Sequence, residues 1–119
     1  WRGGITVSIL GDDGVRYYFA HMSAIADGIE VGSVVTPGEQ IGKVGQTGRA
    51  SACHLHFAIS PPCDSLEWSI RRGVIWPQRY LSAWKAHRDL SPASAVQSWT
   101  RHHPGACAAA ARRPHAPDA

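Results

Sequence analysis

The chain has 119 residues, of which 44% are hydrophobic. This length and composition suit one globular domain with a modest core and do not suit a disordered chain. No run approaches the roughly 20 apolar residues that a membrane-spanning helix needs. The formal net charge is +3, and its basic excess is scattered over the second half instead of forming a dense stripe, so we expect no nucleic-acid partner.

The first sixty residues predict β-structure. Ten of the twelve glycines lie in the first 48 residues, which divides this part into short segments separated by turns. Alternating apolar and polar residues predict a strand over 5–9, and the sequence Gly-Asp-Asp-Gly at 11–14 predicts a turn. A second strand is predicted over 15–21. His21 therefore ends a strand, on a face that it shares with aromatic side chains.

Three more strands follow in this interpretation. Two are predicted over 29–35 and 40–44, joined by the Pro-Gly turn at 37–38. The third is predicted over 54–60 and is stopped by the two prolines at 61–62. We therefore expect an antiparallel sheet in the first half of the chain.

Two imidazoles lie on one face of the last predicted strand. Its apolar residues alternate toward a core, so His54 and His56 project together from the opposite surface, with Cβ atoms about 6.5–7 Å apart. One such ring can bind a metal ion while its neighbour acts on the water that the metal activates. A His-x-His pair also occurs by chance on solvated strands, so the pair alone leaves both interpretations open.

The second half predicts helices. Pro77 can start one helix, and Ser91 followed by proline can cap the start of another. From residue 101 onward the chain is mainly Ala, Arg, His and Pro, which predicts a disordered tail. The predicted organisation is a β-sheet core over 1–62, a helical extension packing on that core over 63–100, and the tail over 101–119.

Several sequence blocks occur in a fixed order in the first half. Residues 18–23 are Tyr-Phe-Ala-His-Met-Ser, residues 31–42 are Val-Gly-Ser-Val-Val-Thr-Pro-Gly-Glu-Gln-Ile-Gly, and Gly-Gln-Thr-Gly-Arg at 45–49 precedes His-Leu-His-Phe at 54–57. Together they resemble the Tyr-x-His-Leu-Ser, Val-Gly-Asp-x-Val-x-x-Gly-Gln-x-Ile-Gly, Gly-x-Thr-Gly and His-Leu-His-Phe motifs of lysostaphin/LytM-type zinc metallopeptidases. The agreement in order and spacing extends over residues 4–60.

The resemblance implies a mainly β fold with an antiparallel sheet core of the barrel-sandwich type, a duplicated hybrid motif, followed here by two short helices. It also implies a bacterial cell-wall hydrolase that cuts peptide cross-links of peptidoglycan with one zinc ion. By match to the motifs, His56 is a zinc ligand, and His54 and His21 are catalytic residues that act on the activated water and the developing oxyanion. We expect an extracellular or wall-associated protein with a signal or anchor before Trp1, and the sequence leaves the oligomeric state open.

The chain departs from the family pattern in two places. The other two zinc ligands of the family lie in an upstream His-x-x-x-Asp segment, so we expect an N-terminally truncated fragment that holds zinc weakly and is inactive by itself. Ala52 and Cys53 stand where many members have Gly-Pro. The alternative is a non-catalytic wall-binding or hydrolase-activator module of the same fold, and retention of all three histidines favours the enzyme.

Cys53 and Cys63 flank the predicted strand that carries the histidine pair. The two prolines between them can turn the chain so that the sulfurs meet. In an exported protein this favours a Cys53–Cys63 disulfide slightly over free thiols. Cys107 is left in the predicted tail.

Overall fold

A computed structural model describes residues 2–63 and 68–108, without the side chains of Trp68 and Ser69. Within these residues four strands and three helices follow one another: β1 Ile5–Leu10, β2 Arg16–Ile25, β3 Gly42–Val44, β4 His56–Ser60, α1 Trp68–Arg71, α2 Gln78–Lys85 and α3 Ala93–His102. The predicted mainly β architecture followed by short helices is confirmed. None of the helices in the described ranges is long and apolar enough to cross a membrane.

Strand β2 is the centre of the sheet. It pairs with β1, with β3 and with β4. Its pairing with β3 is antiparallel and places Met22 opposite Val44. The strand predicted to end at His21 continues to Ile25, so His21 lies inside β2, and the prediction that it ends a strand is wrong.

The predicted strand over 29–35 is wrong, since this stretch consists of turns and irregular backbone. Gly28 and Gly32 adopt positive φ angles of 82° and 91°, a conformation that interrupts an extended run. Val31 and Val34 consequently remain exposed. The strand predicted over 40–44 is present as the short strand β3. It pairs with β2 instead of with residues 29–35.

The strand predicted over 54–60 begins later than expected. Strand β4 starts at His56, and His54 forms an isolated antiparallel bridge with Gly45. The expected core face is present in part, because Ile59 is fully buried whereas Leu55 is 39% exposed. His54 and His56 are therefore held by different pairings of the backbone.

The contacts of the described residues group the chain into two units. The first unit contains residues 2–7 and 19–56, and the second contains 8–18, 57–63 and 68–108. Each unit thus combines segments that are distant in sequence. The domain boundaries predicted after residues 62 and 100 stay predictions.

The second unit has an apolar core between strand residues and helices. Val15, Ile59, Tyr80 and Val96 form its buried cluster. Both predicted helices are present, and α2 follows Pro77 directly. Helix α3 starts at Ala93, so Pro92 and not Ser91 occupies the position before its first residue. The Ser91 Oγ accepts a hydrogen bond from Ala93 N at 3.1 Å. A proline thus directly precedes each of these two helices.

An aspartate in the turn between β1 and β2 ties that turn to the start of α3. The Tyr17 hydroxyl donates to Asp13 Oδ2 at 2.6 Å, and the Ser91 hydroxyl donates to the same oxygen at 2.7 Å. Burial, followed by the hydrogen bond and the charge of Asp13, raises the pKa of Tyr17. The protonated phenol is thus part of the folded second unit.

The cysteine pairing differs from the expected one. Cys63 forms a disulfide with Cys107, with Cα atoms 5.4 Å apart, a usual separation for disulfides. Cys53 is an exposed free thiol, so the predicted Cys53–Cys63 pairing is wrong. Nearness in sequence favoured Cys53, whereas the helical segment after α3 brings Cys107 to Cys63.

The chain remains ordered past the predicted start of the tail at residue 101. Helix α3 runs to His102, and a turn closed by a hydrogen bond from Ala106 N to His103 O leads to a short helical segment that contains Cys107. Residues 109–119 lie outside the described residues, so disorder there stays a prediction.

Candidate functional site

The three histidines singled out from the sequence come together in the first unit. His21 is inside β2, His54 is in the bridge to Gly45, and His56 is the first residue of β4. The ring centroids of His21 and His54 are 4.8 Å apart, and those of His21 and His56 are 6.2 Å apart. The structure thus places all three imidazoles in one cluster, drawn from segments that are distant in the chain.

The cluster has a buried side and an open side. Only 6% of His21 is exposed, while His56 is half-buried and His54 is exposed. A peptide that approaches from solvent would therefore meet His54 first and His21 last. This difference in exposure means that the ring of His54 can exchange protons with water, whereas the ring of His21 is held inside the protein.

His21 has an unusual backbone conformation. Its φ angle is 61°, in the left-handed region, which strains a residue with a side chain by roughly 1–2 kcal/mol. Its backbone N–H donates to the carbonyl of Gly3 at 2.7 Å, and Ala20, His21 and Met22 are buried in succession, which breaks the alternation of β2. Strain of this kind concentrates at functional sites, and the alternation pattern of the sequence contained no sign of it.

Backbone carbonyls orient two of the three rings. His21 Nδ1 lies 2.8 Å from the Thr47 carbonyl oxygen, and His54 Nδ1 lies 2.8 Å from the Ala52 carbonyl oxygen. A carbonyl oxygen can only accept, so in both rings Nδ1 carries the proton and donates. In the neutral ring Nε2 then holds the lone pair, which suits it to take a proton or to bind a metal.

The loop over residues 45–49, here called the clasp loop, holds the backbone of His54 and the ring of His21. The Gly45 carbonyl accepts the His54 backbone N–H at 3.0 Å, while the Thr47 carbonyl holds the ring of His21. Gly48, with a φ of 70°, lies so close to the backbone of Gly4 that a Cβ would collide with it. The motif at residues 45–49 contained no sign of this role in holding the histidines.

The imidazoles of the cluster are side chains of the type that binds zinc, but the described residues bring too few such side chains together. Imidazole nitrogens are usual zinc ligands. Within residues 2–63 and 68–108, however, no group of three His, Cys, Asp or Glu side chains is placed to hold one metal ion. A catalytic zinc site usually has three protein ligands.

Comparison with known proteins agrees with the sequence blocks that surround the histidines. Residues 1–67 match the profile of Peptidase family M23. The chain is 32% identical over 92 residues to the L-Ala--D-Glu endopeptidase of Bacillus subtilis (strain 168), a match that covers 71% of this chain and 27% of that protein. It is also similar to the structure of Helicobacter pylori Csd3 from the orthorhombic crystal, with 30% identity, a TM-score of 0.41, and coverage of 84% of this chain and 27% of that one.

The present chain thus spans 27% of the length of each of these relatives. The profile match covers 67 of the 119 residues and includes all three histidines of the cluster. The chain belongs to Peptidase family M23.

Proposed function

We propose that the chain is part of a zinc metalloendopeptidase that hydrolyses peptide cross-links of bacterial peptidoglycan. The observation that carries this proposal is the convergence of His21, His54 and His56, in which two rings present Nε2 because carbonyls hold their Nδ1 atoms. Family membership and the name of the Bacillus subtilis relative, an endopeptidase acting at an L-Ala--D-Glu bond, support a cell-wall peptide as substrate. Such a substrate implies an extracellular or wall-associated protein.

Each histidine has a distinct role in this proposal. His56 is the metal ligand, and zinc bound there supplies the Lewis acidity that activates water and polarises a peptide carbonyl. His54, which is exposed, accepts a proton from the attacking water at Nε2 and returns it to the leaving amine. His21 stabilises negative charge on the attacked carbonyl oxygen when Nε2 is protonated as well, since Nδ1 is already engaged with Thr47.

The shortage of donors bears on which form of the protein is active. By match to the motifs, the described residues supply His56 alone among the zinc ligands, and no three-donor group occurs in them. We therefore propose that the 119 residues by themselves hold zinc weakly and do not turn over substrate. The same observation favours the second candidate, a wall-binding or hydrolase-activator module that uses the fold without the chemistry.

The two candidates are separated by incubating purified peptidoglycan with the full-length gene product and, in parallel, with these 119 residues. Released peptides are identified by mass spectrometry, with added zinc and with a chelator. We expect zinc-dependent peptide release by the full-length product and none by the 119 residues. Binding to the wall without peptide release by either form, at saturating zinc, would reject the enzyme and leave the binding module.

Variants of the full-length product assign the roles. His54→Ala is expected to slow peptide release about 10²- to 10⁴-fold, the usual contribution of a general acid–base group. His21→Asn removes the imidazole but keeps a residue that tolerates the left-handed conformation, so its loss of rate reports on the ring and not on misfolding. His102→Ala is the matched control, because His102 is exposed and its Nδ1 bonds to the Ser98 carbonyl within α3.

A further inference from the structure

We propose that Thr47 is a positioning residue for this site, which sets both the backbone conformation and the tautomer of His21. The link to catalysis rests on the proposed function. The link to the conformation of His21 does not, because it follows from hydrogen bonds within the first unit.

The Thr47 hydroxyl connects the clasp loop to two strands at once. Its Oγ1 donates to the Met22 carbonyl at 2.6 Å and accepts the Ile5 backbone N–H at 3.0 Å. Met22 directly follows His21 in β2, and Ile5 opens β1. A hydroxyl is the side-chain group that can donate and accept together at this point. Valine has nearly the same shape and would leave both backbone groups without these partners.

The Thr47 carbonyl acts on the ring of His21. It accepts the hydrogen bond from Nδ1 at 2.8 Å and so fixes the neutral tautomer with Nε2 unprotonated. The position of this carbonyl is set on one side by the hydroxyl of the same residue. On the other side it is set by Gly48, packed against the backbone of Gly4, and by the hydrogen bond from Arg49 N to Arg2 O at 3.0 Å.

The hydrogen bonds of the Thr47 hydroxyl offset the backbone strain of His21, so Thr47 decides which conformation residue 21 adopts. His21 is held at a φ of 61° inside a strand whose other residues are extended, and its N–H bonds to the carbonyl of Gly3. The strain of a left-handed histidine is comparable to the net contribution of one or two hydrogen bonds. Loss of the two hydroxyl bonds therefore suffices to let residue 21 relax toward an extended conformation, which moves its ring away from the Thr47 carbonyl.

The test is the tautomer of His21, measured by NMR from the ¹⁵N chemical shifts of its ring at a pH where the ring is neutral. The 119-residue chain is labelled at histidine and compared with Thr47→Ser, which keeps the hydroxyl, and Thr47→Val, which removes it. Thr100→Val makes the same change at a hydroxyl that donates to the Val96 carbonyl within α3. It is therefore the matched control.

We expect Nδ1–H to dominate in the unmodified chain, in Thr47→Ser and in Thr100→Val. In Thr47→Val the ratio of Nδ1–H to Nε2–H should fall about 5- to 10-fold, the effect of losing one hydrogen bond of ordinary strength. An unchanged ratio in folded Thr47→Val overturns the proposal. So does a predominant Nε2–H form in the unmodified chain, a result that requires no variant to fold.

The catalytic part is tested separately in the full-length gene product, where Thr47→Val should lower kcat and leave KM unchanged, because the His21 ring leaves the place from which its protonated Nε2 stabilises the attacked carbonyl oxygen. A shifted tautomer with an unchanged kcat overturns the catalytic link. If the tautomer shifts as expected while the full-length product releases no peptide, the proposed function fails and the positioning of His21 by Thr47 stands.

Discussion

Removal of the Cys63–Cys107 disulfide is expected to cause a large loss of stability without changing the arrangement of the three histidines. The bond closes a loop with a sequence separation of 44 residues, which includes α1, α2 and α3. The disulfide restricts the entropy of the unfolded chain. For a loop of this length, removing that restriction lowers the free energy of unfolding by roughly 4 kcal/mol at 25 °C. Domains of this size are stabilised by only about 5–15 kcal/mol in total, so the loss is a substantial fraction of the whole.

The assay is urea-induced unfolding of the oxidised chain and of the Cys63→Ala/Cys107→Ala double variant. The folded geometry around Cys63 should persist in the variant, because the Arg16 guanidinium also donates to the Cys63 carbonyl at 2.6 Å. Cys53→Ala is the matched control, since this thiol is exposed and unpaired. A difference below about 1 kcal/mol in the double variant, far under the range for native disulfides, or an equal loss in Cys53→Ala, would refute the reasoning.

Two further predictions concern one group in each unit. Burial and the bond to Asp13 raise the pKa of Tyr17 above its ordinary value of 10.0, so the protonated phenol contributes stability that is complete below about pH 10 and is lost as the pH rises further. The free energy of unfolding should then fall more steeply between pH 9 and pH 11 in the unmodified chain than in Tyr17→Phe, and equal slopes would argue against it. Gly48→Ala should destabilise the chain by about 1–3 kcal/mol more than Gly14→Ala, because both glycines have positive φ but a Cβ collides with backbone only at Gly48. Urea unfolding of the two variants measures this difference, and equal losses would contradict the collision.

The features that the sequence predicted correctly depend on neighbouring residues. The hairpin of β1 and β2 follows from alternation on either side of a glycine-aspartate turn, and α3 begins directly after Pro92, whose ring fixes its own φ. The motif blocks also led to His21, His54 and His56, which the structure brings together. In each case the controlling residues are close in sequence or are repeated as a recognisable pattern.

The features that were missed depend on contacts over long distances in the chain. The left-handed conformation of His21 is associated with Gly3 and with Thr47, which is 26 residues away, and no local pattern marks it. The valines of 29–35 favour a strand, yet the glycines at 28 and 32 adopt conformations that break it. The partner of Cys63 was hidden in the same way, because it depends on where α3 ends.

The central claim is that the histidine cluster is a zinc site in which His56 is a ligand. The most direct test is a crystal structure of the full-length gene product grown with zinc, in which anomalous diffraction locates the metal. The account predicts an anomalous peak about 2.0–2.1 Å from a ring nitrogen of His56, with His21 and His54 beside it and outside bonding distance. A zinc peak that lies away from His56, or no peak in the cluster at saturating zinc, would contradict it.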